Sequence, residues 1–107
     1  MFSINAIEGQ SLTVVAEYKD SANLPVDITT WTIRARVGNI RTRDIITADC
    51  VITNGPLGIF QIAFTDIEIS LLDKGKYIIE IARVVSGSLS TIALGELLVS
   101  YSLFIEV

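Results

Sequence analysis

Asp66-Ile67-Glu68-Ile69-Ser70-Leu71-Leu72-Asp73-Lys74-Gly75-Lys76-Tyr77-Ile78-Ile79-Glu80-Ile81-Ala82 holds the one credible helix of the chain and the strand that follows it. Thr65 or Asp66 can cap the helix, and Ile69 with Leu72 can share its core-facing side. Gly75 ends it. A helical turn over 66–73 is too short to carry a crossover between parallel strands, which takes a dozen residues or more. From Tyr77 the period changes to two. Tyr77, Ile79 and Ile81 share one face, against Glu80 and Ala82 on the other.

The same alternation recurs on both sides of this segment. Phe2, Ile4 and Ala6 alternate with Ser3 and Asn5 before the Glu8-Gly9-Gln10-Ser11 turn. Leu12, Val14, Ala16 and Tyr18 share a face, and so do Trp31, Ile33, Ala35 and Val37, with Arg34 and Arg36 outward. Gly38-Asn39 breaks that run. Ile45 to Thr53 is apolar but irregular, and Asn54-Gly55-Pro56 closes it as a hairpin onto Phe60, Ile62 and Phe64. Ser86-Gly87-Ser88 reads as another hairpin loop. In the final stretch, Thr91 to Val107, Leu97, Val99, Tyr101, Leu103, Ile105 and Val107 fall on one parity.

These strands describe an all-β, immunoglobulin-like antiparallel β-sandwich of about seven strands, with one short helical turn near 66–73. Composition agrees. Isoleucine, valine and threonine number 17, 9 and 9 of the 107 residues, and β-branched side chains favour the pleated sheet. No repeat, linker or low-complexity segment divides the chain, so 1–107 is read as a single domain. A domain of this length hides roughly two-thirds of its unfolded surface.

The same inventory excludes much chemistry. There is no histidine and one cysteine, so neither a Ser-His-Asp nor a Cys-His site can be built within one chain. Cys50 has no partner for an internal disulfide and reads as a small buried hydrophobe. Asp66 with Glu68, and Asp44 with Asp49, are the carboxylate pairs that calcium at the sandwich end would use, and turn and cap roles explain them as well. No enzyme activity, cofactor or metal is expected. The 8 basic against 12 acidic residues argue against a nucleic-acid partner. Arg34, Arg36, Arg41 and Arg43 nevertheless form a local basic group that would suit a phosphate or acidic partner, or simply a solvated strand face. No signal peptide is visible, and the longest uncharged run, Cys50 to Thr65, contains Asn54-Gly55-Pro56 and cannot be a membrane helix. Synthesis in the cytoplasm without a membrane partner is expected.

Two sets of residues remain. Asp73-Lys74-Gly75-Lys76-Tyr77 places a Tyr two residues after a Gly turn, where its hydroxyl can tie a late strand to the preceding loop, as in a tyrosine corner. Gly75 and Tyr77 are thus structural, as is Trp31, which shares parity with core residues. Val15, Ile59, Ile78, Leu98 and Phe104 fall opposite the inward sets. Several apolar residues on the outer side suggest a surface covered by another chain, unless a bulge reverses their parity. The long 91–107 stretch is the expected assembly element, since an edge strand carries unpaired backbone groups.

The order of features resembles a group of small bacteriophage virion domains, typified by the N-terminal domain of siphophage upper baseplate proteins. The residues that carry the resemblance are Glu8-Gly9, Val26-Asp27-Ile28-Thr29, Trp31 to Val37, Gly58 to Phe64, Thr65 to Leu72, Gly75-Lys76-Tyr77 and Gly95-Glu96. They span nearly the whole chain, although Ile28 stands where Leu is usual and Trp31 where a small or turn residue is usual. The resemblance implies a non-enzymatic virion structural protein, a baseplate, tail or capsid-surface component made in the host cytoplasm. It implies a homo-oligomer, trimeric by preference, that attaches other virion proteins. The rival reading is a carbohydrate-binding β-sandwich module, for which only Trp31 and three Tyr are at hand.

Overall fold

The computed structural model describes residues 2–39 and 43–100, the side chains of residues 43 and 44 aside. Eight strands and one short helix follow in the order β1 Phe2–Ile7, β2 Leu12–Glu17, β3 Thr32–Asn39, β4 Arg43–Asp49, β5 Val51–Asn54, β6 Ile59–Phe64, α1 Asp66–Ser70, β7 Gly75–Val85 and β8 Ser88–Ser100. They form a five-stranded sheet, β1-β8-β7-β3-β4, facing a three-stranded one, β2-β6-β5. The architecture is a β-sandwich.

Alternation in each strand decides what lies between the sheets. Ile33, Ala35 and Val37 of β3 and Tyr77, Ile79 and Ile81 of β7 are buried against Phe60, Ile62 and Phe64 of β6. Each such aliphatic or aromatic side chain contributes about 1.5–3 kcal/mol by leaving water. Ile69 and Leu72 close one end of the core, both almost fully buried. Their helix is held by a reciprocal capping box: the Glu68 amide donates to Thr65 Oγ1 at 3.1 Å, and the Thr65 amide donates to Glu68 Oε1 at 2.9 Å. After Ser70 the chain tightens, with the Leu71 amide bonding Glu68 O and the Leu72 amide bonding Ile69 O. The helix is therefore shorter than its sequence pattern.

Three departures from the sequence pattern have local causes. The irregular 45–53 stretch is two strands, because the chain leaves the five-stranded sheet after Asp49 and enters the other at Val51. Cys50 is the crossing point, its amide donating to Ile33 O at 2.8 Å. Gly38-Asn39 does not end β3; a bulge between Val37 and Gly38 absorbs the irregularity, and pairing with β4 continues to Asn39. Lastly, β1 and β8 pair in parallel, Phe2 with Gly95 through to Ile7 with Ser100, while every other strand pair is antiparallel. No crossover helix is required, since nearly the whole domain lies between these two strands. Gly95 admits this pairing: a Cβ there would sit 2.5 Å from the Phe2 ring.

Candidate assembly surfaces

Outward positions of the two sheets differ in chemistry. On the five-stranded sheet, Arg34 bonds Asp49 across the β3–β4 pair at 3.0 Å. One strand over, Arg36 pairs with Glu80, whose other carboxylate oxygen accepts from the Thr91 hydroxyl. Lys76 lies 3.8 Å from Glu96. Ile78 and Leu98 stand among these charges, Ile78 opposite Glu96 and Leu98 opposite Lys76. The Arg34 and Arg36 guanidiniums are thus paired with carboxylates and do not form a basic patch; Arg41 and the Arg43 side chain lie outside the described residues.

The three-stranded sheet is different. Its register aligns Val15, Gln61 and Val51 in one row across β2, β6 and β5. Ala63 lies opposite Thr13, and Ile59 opposite Glu17, in the flanking rows. Val15 is 65% exposed and Val51 59%, although both lie within the sheet and not in loops. Of these outward residues only Glu17 is charged, and its carboxylate is 3.6 Å from Lys19 at the margin. Val15 and Ile59 therefore share this face, whereas Ile78 and Leu98 share the opposite one; Phe104 lies outside the described residues. Val51 and Ala63 complete the apolar face and escaped the parity reading. A register shift between Ile52 and Asn54 hid Val51, since regular counting back from the Asn54-Gly55-Pro56 turn puts Ile52 opposite Gln61.

Near the β7–β8 hairpin the core ends in an aromatic and cationic cap. Trp31, half-buried, packs on Tyr18 with ring centroids 5.5 Å apart, and the Arg83 guanidinium lies 4.0 Å from the Trp31 ring centroid. A sugar platform needs a free, flat ring face, and Arg83 covers one here. At the opposite end, the Tyr77 hydroxyl donates to Asp73 O at 2.8 Å, tying β7 to the loop before it. Gly75 enters the same strand with a φ of +151°, a backbone conformation that side chains oppose.

Glu68 is engaged in the cap, Asp66 accepts from the Ile67 amide and Asp49 is paired with Arg34, while the Asp44 side chain lies outside the described residues. Asp27, at the entry to β3, is held below the usual carboxylate range by the Thr29 hydroxyl and then by the Thr29 amide. Burial, with Asp49 alongside, pushes the Cys50 thiol up to about 11, so it is protonated and a poor nucleophile at neutral pH.

Among solved structures, the N-terminal domain of phage TP901-1 ORF48 matches over 92% of this chain and 83% of its own, with a TM-score of 0.60 and 10% identity. The two share a fold. The structure of the NK cell receptor Nkp44, a triggering partner in natural cytotoxicity, also matches, with a TM-score of 0.44, 19% identity, and coverage of 92% of this chain and 97% of that one. No family model and no curated protein matches the sequence.

Proposed function

We propose that this chain is a non-enzymatic structural domain of a phage particle, which works by burying surface against other subunits and so attaches other virion proteins. The observation that carries this reading is the outer face of the three-stranded sheet. Val15 and Val51 are more than half exposed there, on regular strands whose outward side chains would ordinarily be polar. The fold shared with that phage domain supports the setting, and the engaged carboxylates and absent histidine leave the chain poorly equipped for acid–base catalysis.

Association with copies of itself and with other virion proteins follows from such a face. Sedimentation and light scattering on the purified chain, alone and mixed with the structural proteins of its phage, test this. Association that Val15→Asp or Val51→Asp abolishes supports the reading. A clean monomer at high concentration that binds none of those proteins overturns it.

A further inference from the structure

Arg83 faces the core side of its sheet and has no acid to answer it. Lys19, Arg34, Arg36 and Lys76 each have a carboxylate beside them. Arg83 has none among the described residues; its partner is the Trp31 ring, with the guanidinium carbon 4.0 Å from the centroid. Register explains how a cation comes to lie there. Arg83 pairs with Ile33 on one side and with Ser90 on the other, and residues paired across strands point to the same face of a sheet. Ile33 is buried in the core, so Arg83 and Ser90 also lie on the core side of the five-stranded sheet. The core runs out at this level: Ser90 is exposed, and Val85, next along β7 on the same face, is 44% exposed.

At this rim the arginine is partly enclosed. Its Nε is shut off from solvent and has no hydrogen-bond partner, a condition that buried polar groups rarely keep. Nε is the one nitrogen of the group so enclosed, which leaves the two Nη atoms as its open edge. The Trp31 indole backs the cation, and Tyr18 packs on the indole in turn. A cation–π contact offsets part of the cost of taking the charge from water, but it accepts none of the in-plane N–H bonds. The Ser90 hydroxyl, opposite Arg83 in the strand pair, is a further donor that is unengaged among the described residues. Unused donors and a backed cation thus meet at one point on the rim.

We propose that Arg83 and Ser90 form a receptor for a carboxylate, which the two Nη atoms take end-on while Trp31 holds the guanidinium in place. A carboxylate presents two oxygens in one plane, and these match a pair of parallel N–H donors. A phosphate dianion would call for a second cation, whereas Arg34 and Arg36 of the same sheet are paired with acids on its outer face. At a net charge of −4 the chain repels an acid at long range, so affinity rests on the short contact and is weak for a simple acid. The same contact serves an Asp or Glu side chain of another protein and a free carboxylic acid. It stands whether or not the chain assembles through its three-stranded sheet.

Trp31 is the only tryptophan of the chain, so its emission reads this site directly. The test titrates the full chain with sodium acetate and with the blocked peptide acetyl-Ala-Glu-Ala-amide, each against sodium chloride at matched ionic strength. Trp31 emission and the Arg83 Nε–H signal in NMR spectra are followed together. A saturable response of both signals that chloride does not reproduce supports the proposal. Arg83→Lys keeps the charge without the fork and should weaken binding at least about fivefold, and Ser90→Ala should weaken it about twofold. If the site serves a protein side chain, the peptide saturates at a concentration at least about tenfold below that of acetate; comparable affinities support a free acid. No saturable response to either probe overturns the proposal, and so does a response that Arg83→Gln retains with an unchanged β circular-dichroism spectrum. Should Arg83→Gln fail to fold, the wild-type Nε–H titration decides alone.

Discussion

The outer faces of the two sheets are built from the same kind of alternating strand and end in opposite chemistry. On the five-stranded sheet the outward positions carry Arg34–Asp49, Arg36–Glu80 and Lys76–Glu96. On the three-stranded sheet they carry Val15, Val51, Ile59 and Ala63 around Gln61. Alternation tells which residues leave the core; only cross-strand register tells what they meet. Ile78 and Leu98, apolar in isolation, are set among ion pairs, whereas Val15 and Ile59 lie in adjacent regions of a largely apolar face.

Gly58→Ala is the most damaging way to break this contrast, because it removes the support of the small sheet. Gly58 has a φ of +70°, and a Cβ there would lie 2.5 Å from Tyr18 O and 2.8 Å from Val26 O, backbone atoms that cannot turn aside. A loss of about 3 kcal/mol or more is expected in urea unfolding, together with loss of association. Next comes the charged face. Arg36→Ala strands Glu80 in a half-buried site and should cost about 1–2 kcal/mol. Arg34→Ala breaks a pair whose side chains are 41% and 74% exposed, and should cost under about 0.5 kcal/mol, an effect that salt erases. Equal losses from the two would show that burial does not separate these pairs.

Tyr77→Phe keeps the ring and removes the bond to Asp73 O; about 1 kcal/mol should be lost, with the sheets otherwise unchanged. Val15→Asp with Val51→Asp sharpens the comparison most for the least disturbance. Unfolding midpoints should shift by less than about 0.5 kcal/mol equivalent per site, since both residues are exposed, while self-association disappears. A variant that unfolds instead would mean that the face is held by packing within the chain. The last effect, confined to alkaline pH and nil at neutral pH, concerns Cys50. Burial, with Asp49 alongside, pushes its folded thiol up to about 11, above the ordinary thiol range near 9. The unfolded chain thus loses its proton first, and stability falls as pH climbs from about 9 to about 11. Thiolate absorbance against pH reads the shift directly, and a midpoint near 9 in the folded protein would remove it.

Much of the fold was legible because burial follows parity. Ile33, Ala35, Val37, Phe60, Ile62, Phe64, Tyr77, Ile79 and Ile81 are buried as their parity predicts, and Thr65, one of the two cap candidates, caps the helix. Ala82, read as outward, is buried too, at the register shift after Ile81. The β-sandwich with one short helix follows from those strands and from the lack of a longer helical period. What stayed hidden depends on contacts distant in sequence. The 45–53 stretch reads as one irregular strand because each half answers to a different sheet, and nothing near Cys50 announces the crossing. The parallel pairing of β1 with β8 joins residues more than ninety positions apart, Phe2 with Gly95, and its one local sign is the glycine that accepts the Phe2 ring.

That parallel pair has a mechanical meaning. β1 and β8 run side by side in the same direction, joined at six register positions from Phe2–Gly95 to Ile7–Ser100. Tension applied between the start of β1 and the end of β8 pulls the two strands past each other along their length. The hydrogen bonds between them are then loaded together and not peeled one at a time. Beyond Ile7 the Glu8 amide adds a further bond to Ser100 O at 2.9 Å. Force entering at one end of this pair and leaving at the other is carried by a shear joint, and the remaining six strands need not deform to transmit it.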